Sequence, residues 1–467
     1  MSRWRWISLA AVAAALVLAV VAMARTALPD LRLARSLALS RSATTLTIAG
    51  PNGPVGEPVR KRVTEALART GTTAFLDHYL AAMESFARTP LLAGNRVQLL
   101  VDGPATYQAM FRAIDRAQHY VLLESFILED ATTSDSSLSR ALRSAADRGV
   151  AVFLLYDDVG SLTSGEAFVE SLGEQGIRSC VFNPIDPRHD RFAGFNERDH
   201  RKIVVVDGVA GFAGGINFSR TYRSASRAIK RLPQPVLDDG WRDTHVGLAG
   251  PAVQALEDLF WQAWRLQACS GARPRLAPRT VEEAGGTLLR VVASTPGDEL
   301  NEVYASILAA ITYAQQSIDI TMAYFVPDDV LEQALKDAAE RGVRVRMVVP
   351  SYSDFAGVFY AGRAHYADLL ASGVRLYELE RALLHSKTIV VDGIWSSVGS
   401  TNFDWRSFVH NSEININVID AGFAARMTAL FDEDLAGSGE ITREAWDKRP
   451  LTDRALELFW LPMQFYL

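Results

Sequence analysis

The stretch His200-Arg-Lys202-Ile-Val-Val-Val-Asp207-Gly208 decides the fold, because it returns later as His385-Ser-Lys387-Thr-Ile-Val-Val-Asp392-Gly393. Both copies read HxKxxxxDG. Each is followed by a Gly-small-x-Asn turn, Gly214-Gly215-Ile216-Asn217 and then Gly399-Ser400-Thr401-Asn402. One copy alone is weak evidence; two with the same downstream Asn identify a duplicated half-site. In each copy His and Lys are two residues apart, so on a strand both leave from one face. Two such strands meeting at an interface make a basic cleft for one phosphate. One imidazole can attack phosphorus while the other protonates the leaving oxygen. Lys202 and Lys387 can neutralise the phosphoryl oxygens, and Asn217 and Asn402 can donate further hydrogen bonds. This is equipment for phosphoryl transfer that needs no metal and no cofactor. No Cys/His cluster with zinc spacing appears in the chain.

Working outward, the flanking segments repeat as well. Ala113-Ile-Asp-Arg-Ala-Gln118 is similar to Ala310-Ile-Thr-Tyr-Ala-Gln315. Leu142-Arg-Ser-Ala-Ala-Asp-Arg-Gly-Val150 is similar to Leu335-Lys-Asp-Ala-Ala-Glu-Arg-Gly-Val343. Matched blocks lie roughly 185 to 200 residues apart, so the repeat is a whole domain and not a solenoid unit. Within the first copy, apolar runs at Val97–Val101, Tyr120–Ile127 and Val150–Tyr156 read as strands. They alternate with helical spacing at Thr106–Ala117 and Leu138–Asp147. The pattern predicts an α/β protein of two homologous α/β/α lobes, each with a largely parallel sheet covered on both faces. The lobes are expected at residues 94–272 and 286–437, meeting at a pseudo-two-fold cleft. A Gly/Arg/Pro-rich boundary lies near Cys269–Gly285. Residues 28–93 read as a connector with a helical piece over Pro58–Ser85, and 438–467 as an apolar tail.

Residues 1–27 differ from the rest. Arg3, Trp4, Arg5 and Trp6 precede an apolar run from Ile7 to Ala24, near the lower limit for crossing a bilayer. An uncleaved transmembrane helix is the favoured reading; a cleaved signal peptide is the alternative. Arginines flank both sides, and the larger number follows the run, which places the lobes on the cytoplasmic side. The net charge of −6 and pI near 5.8 argue against nucleic acid as a partner. The two cysteines, Cys180 and Cys269, make no disulfide framework and read as buried small hydrophobes.

A nucleophilic imidazole needs a partner on its other nitrogen to set the tautomer. Asp243, in Gly-Trp-Arg-Asp-Thr-His, and Glu413, in His-Asn-Ser-Glu-Ile-Asn, each follow their Asn turn and are the candidate partners. The motif aspartates Asp207 and Asp392 stand with the catalytic set as motif members, but they precede Gly at strand ends, where a turn or interlobe role is the other reading. A basic loop carries Arg220, Tyr222, Arg223, Arg227, Lys230 and Arg231. It serves either to hold anionic headgroups or as a solvated surface. The tail, Ala455-Leu-Glu-Leu-Phe-Trp-Leu-Pro-Met-Gln-Phe-Tyr-Leu467, either inserts at a bilayer interface or docks onto the lobes.

The duplicated motif resembles the phospholipase D superfamily. The stretches Gly399-Ser-Thr-Asn402-Phe-Asp-Trp-Arg406-Ser407, Asn411-x-Glu413, Phe182-Asn-Pro184, Trp241-Arg-Asp243 and Ala323-Tyr-Phe-Val-Pro-Asp328 are similar to bacterial cardiolipin synthases. The likeness runs from about Gly94 to Leu435. It implies a covalent phosphatidyl-histidine, with His200 as nucleophile and His385 as general acid and later base, or the reverse. It implies phosphatidylglycerol as substrate, a membrane as partner, and a bacterial inner-membrane location. Hydrolytic phospholipases and phosphatidylserine synthases share the core motif and are the alternatives. Many cardiolipin synthases of this type begin with two membrane helices, whereas this chain shows one.

Overall fold

The computed structural model describes residues 31–39, 46–68, 73–173, 176–186, 196–226, 237, 239–271, 273, 283–298 and 300–467. The expected membrane-crossing run and the part of the basic loop holding Arg227, Lys230 and Arg231 lie outside these residues. Among the described residues no helix is long and apolar enough to cross a membrane.

The two repeats fold alike. The first orders its strands Ile177–Phe182, Ala151–Asp157, Tyr120–Ser125, Ile203–Val206, Ala210–Gly214, Thr244–Ala249, Leu91–Val101. The second orders Arg375–Leu379, Arg344–Pro350, Ser317–Met322, Lys387–Val391, Trp395–Gly399, Asn411–Ile419, Thr287–Ser294. Strands Leu91–Val101 and Thr287–Ser294 then pair antiparallel and join the two sheets at the pseudo-two-fold.

The expected largely parallel sheet is corrected here. Only the first three strands of each order run parallel; the remainder are antiparallel. The reason lies inside the repeated motif. Asp207-Gly208 and Asp392-Gly393 both have φ between 51° and 66° at each residue. In both turns the chain closes with an N–H to C=O bond, Val209 to Val206 and Ile394 to Val391. This is the hairpin geometry that Asp-Gly favours, and it sends the chain straight back along its neighbour.

Helices cover both faces, as the side-chain alternation requires. Val121 and Leu123 pack with Phe111 and Leu142, from helices Asp102–Asp115 and Leu138–Asp147. Between them Leu122 faces Trp261 and Trp264 of helix Ala252–Leu266. That second core continues into the other lobe through Phe423 and Met427 of helix Ala421–Ala436, so the lobes share apolar packing beneath the central strand pair. Among the described residues the connector forms three helices, Arg32–Ala38, Glu57–Ala68 and Thr73–Phe86, and Phe75, Tyr79 and Met83 pack into the core of the second lobe. The tail also joins that lobe. Ser438–Ile441 pairs with Arg375–Leu379, and helix Leu451–Trp460 follows.

Cys180 and Cys269 form a disulfide across 89 residues, with Cα atoms 5.8 Å apart, which corrects the reading of two unpaired small hydrophobes. It ties the edge strand Ile177–Phe182 to the segment after helix Ala252–Leu266. Spacing along the chain carries no hint of this contact, which arises only when that helix packs across the sheet.

Candidate active site

His200 and His385 lie just before the strands Ile203–Val206 and Lys387–Val391, at the interface between lobes. Both are buried. Each is held the same way by the opposite lobe. The His200 N–H donates to the Ser412 carbonyl at 3.0 Å, and its Nδ1 lies 3.0 Å from the carboxylate of the next residue, Glu413. The His385 N–H donates to the Arg242 carbonyl at 2.8 Å, and its Nδ1 lies 2.7 Å from the next residue, Asp243. A proton on each Nδ1 satisfies its carboxylate and leaves Nε2 for chemistry. The sequence placed Asp243 and Glu413 as partners; the structure shows that each crosses to the other lobe's histidine.

The lysines are brought in beside them. Lys202 Nζ donates to the His200 carbonyl at 2.5 Å and sits over the Phe126 ring. Lys387 Nζ donates to the His385 carbonyl and approaches Nδ1 of that ring at 3.0 Å. Burial pulls both ammonium groups down, Lys202 to about 7 and Lys387 to about 8. A phosphodiester anion, whose oxygens gain further negative charge in the transition state, is the natural counter-charge for such a site. Asn217 is buried with Oδ1 accepting from the Ile127 N–H at 3.2 Å. Asn402 is buried with its amide oxygen unpartnered.

The two half-sites differ electrostatically. Burial, then Lys202 and Lys387, hold His200 well below the usual imidazole range, so it is neutral. Burial and Lys387 also hold His385 below its usual range, although Asp243 works against them. Burial raises the Asp243 carboxyl, yet His385 and Lys387 outweigh it and the net shift is downward, so Asp243 is ionised. Burial lifts Glu413 to about 7 against the pull of Lys202. An ionised Asp243 favours a protonated His385 more than Glu413 favours a protonated His200.

Asp207 and Asp392 are not in the cleft, which corrects their place in the catalytic set. Asp207 accepts the backbone N–H groups of Gln118, His119 and Tyr120 at 2.7, 2.8 and 2.8 Å. Asp392 accepts those of Gln315, Gln316 and Ser317 at 2.8, 2.8 and 2.9 Å. Each pins the hairpin to the start of the neighbouring strand. Five residues past the lysine, the strand has carried them about 16 Å from the reacting end.

Other contributors were not singled out from the sequence as site residues. Tyr222 places its hydroxyl 3.0 Å from His385 Nδ1. It stands five residues after Asn217, and its counterpart five after Asn402 is Ser407, whose hydroxyl accepts from the Asn402 N–H at 3.3 Å; aligning the repeats position by position is the signal that finds both. Arg242 is buried between the lobes, where its guanidinium makes two 2.8 Å bonds to Asp434. Phe126 and Trp241 set their rings 5.2 and 5.3 Å from those of His200 and His385. His245 is a neutral core residue: burial takes it to about 3, and its Nδ1 accepts from Ile216.

A family profile described as cardiolipin synthase, PLD-like domain matches residues 110–227 and 307–435. Cardiolipin synthase A of Pseudomonas aeruginosa is 37% identical over 385 residues, covering 82% of this chain and 76% of that one. Cardiolipin synthase A of Pseudomonas entomophila is 38% identical over 365 residues, covering 78% and 74%. Among solved structures, phosphatidylserine synthase of Haemophilus influenzae Rd KW20 superposes with a TM-score of 0.62 at 14% identity, covering 81% of this chain and 98% of that one.

Proposed function

Because the chain belongs to the cardiolipin synthase family with phospholipase D-like domains and is a phosphatidyltransferase, we propose that it joins two phosphatidylglycerols into cardiolipin and glycerol. The crossed His–carboxylate pairs flanked by two buried lysines carry this reading. In the first step neutral His200 Nε2 attacks the donor phosphorus. With the phosphate anion bound beside it and ionised Asp243 on Nδ1, His385 takes up a second proton on Nε2; the bond to the glycerol oxygen breaks as that Nε2 proton passes to the oxygen, so glycerol leaves and a phosphatidyl-histidine remains. In the second step His385, now neutral, takes the proton from a hydroxyl of the second phosphatidylglycerol. That oxygen attacks phosphorus and His200 is released. Lys202 and Lys387 carry the negative charge that grows on the phosphoryl oxygens in both steps. Their positive charge serves where other phosphoryl-transfer sites use a metal.

The donor and acceptor are lipids, so we place the enzyme at a bacterial inner membrane, with the Ile7–Ala24 run as a single-pass anchor. Incubating the protein with vesicles of phosphatidylglycerol tests the reaction. Cardiolipin and glycerol are expected in equal amounts. Phosphatidic acid as the main lipid product would mean that water resolves the intermediate, and the protein would be a hydrolase.

A further inference from the structure

Helix Leu451–Trp460 is built inside out. Glu457, the residue it turns to the protein, is 2% exposed and ion-paired with Arg449 at 2.7 Å and Arg363 at 3.7 Å. The residues it turns outward are Leu451, Leu458 and Phe459, which are 79%, 72% and 59% exposed. A water-facing helix normally has the opposite polarity, and a contiguous apolar face of this kind marks an interaction surface.

The position of this face points to its occupant. At the end of the helix and past it, Trp460 and Leu467 pack with Val326, Val358 and Tyr324. The Tyr324 ring lies 6.1 Å from that of His385, and Phe465 packs at 5.1 Å on Trp405, three residues beyond Asn402. The helix therefore stands at the rim of the catalytic cleft. Next to it, Tyr324 bonds Asp354 at 2.7 Å, and the following residue, Phe355, is exposed. In the first lobe the equivalent loop exposes Val159 and Leu162. There Ser161 bonds the carbonyl of Phe126, whose ring touches His200. Exposed Arg220 and Arg223, ion-paired on one side with Glu129 and Asp239, flank Tyr222, which contacts His385. Apolar residues from both lobes, with cations beside them, complement an anionic lipid surface. The chain outside the described residues ends at the same place. Helix Arg32–Ala38 is pinned by Arg35 to Asp328 at 2.5 Å, two residues from Val326, and the Ile7–Ala24 run precedes it.

We propose that the outward face of Leu451–Trp460, with the loops bearing Leu162 and Phe355, seats the cleft mouth on the headgroup boundary of an anionic phospholipid bilayer. This rests on the lipid-transfer reading above. Of the two tail readings made from the sequence, docking on the lobes is what the inner face shows; the membrane reading of the outer face is this proposal.

The test uses the full chain in phosphatidylglycerol/phosphatidylcholine nanodiscs, with Leu458→Cys or Phe459→Cys labelled by an environment-sensitive fluorophore. Lys448→Cys, at an exposed polar position, is the control. Lipid carrying a nitroxide just below the headgroup should quench the label at 458 and 459 by at least about twofold and leave 448 unchanged. Quenching no greater than at 448 overturns the proposal. So does a 458–458 crosslink between two chains, which would make the face a self-association surface. Shielding from aqueous quencher without lipid quenching would mean the chain's own N-terminal run covers it, and also overturns it. As a second measurement, Leu458→Asp should lower turnover of vesicle lipid by about tenfold but leave turnover of a short-chain, monomeric phosphatidylglycerol unchanged. Lipid quenching in a protein that forms no cardiolipin would instead reject the functional reading and leave the docking face standing.

Discussion

Replacing Asp207 by Asn separates the motif's structural residue from its catalytic ones. The carboxylate accepts three backbone N–H groups, one on Oδ2 and two on Oδ1. Asn keeps one acceptor oxygen, so its NH2 must face an N–H, donor against donor. One charge-assisted bond is lost and the other two lose their charge. Water reaches part of this site, so the sum is about 2–4 kcal/mol. The backbone is not a confounding factor, because Asn tolerates the φ of 54° as Asp does. For lobes of this size the unfolding midpoint, followed by tryptophan fluorescence, should fall by roughly 5–15 °C. Turnover per folded molecule at low temperature should stay within about threefold of the parent. An unchanged midpoint with turnover down more than about a hundredfold would return Asp207 to the catalytic machinery and refute the reasoning.

His200→Ala and His385→Ala should each remove nearly all turnover, but only His385→Ala should still trap a phosphatidyl-enzyme from an activated donor; either variant keeping more than about a tenth of activity would end the two-histidine mechanism. Lys202 and Lys387, lowered from 10.5 to about 7 and about 8, give opposite slopes with pH. The unfolded chain binds more protons than the empty enzyme between those values and 10.5, so stability rises with pH across that window, while KM rises as the ammonium groups are lost; a flat KM from pH 6.5 to 9.5 contradicts this. Reducing the Cys180–Cys269 disulfide, which closes an 89-residue separation, should lower stability by about 4–5 kcal/mol in the chain-entropy account. Thiol labelling of freshly isolated protein also reports its side of the membrane: a bond intact in cells puts the lobes on the oxidising side, and two free thiols put them in the cytoplasm, where the arginine count pointed.

The repeated order of elements and the His–Lys pairing were legible because they are local or repeated. The strand directions were misjudged for a local reason too: a turn at Asp207-Gly208 and Asp392-Gly393 was expected, but not that it is a hairpin sending the next strand back antiparallel. What stayed hidden is long-range. Cys180 meets Cys269, Arg242 meets Asp434 192 residues away, and Tyr222 meets His385 163 residues away. No spacing rule links such residues, and only the packing of one element or lobe onto another creates the contact. The inverted helix was visible as an unusually apolar tail, but which of its faces pointed outward depended on where Arg449 and Arg363 hold Glu457.

The exchange of carboxylates between lobes also governs when the enzyme becomes active during its own synthesis. Glu413 leaves the ribosome 213 residues after His200, a delay of about 10–40 s at bacterial elongation rates. Throughout that interval the first lobe can fold, yet its histidine has no group to fix the tautomer and no second imidazole to protonate a leaving oxygen. A message broken between the two lobes, or a chain clipped between them, yields an inert product. A half-enzyme able to form the phosphatidyl adduct but not pass it on would leave lipid stranded on protein; dividing each catalytic pair between the two ends of the gene product prevents that fragment from existing.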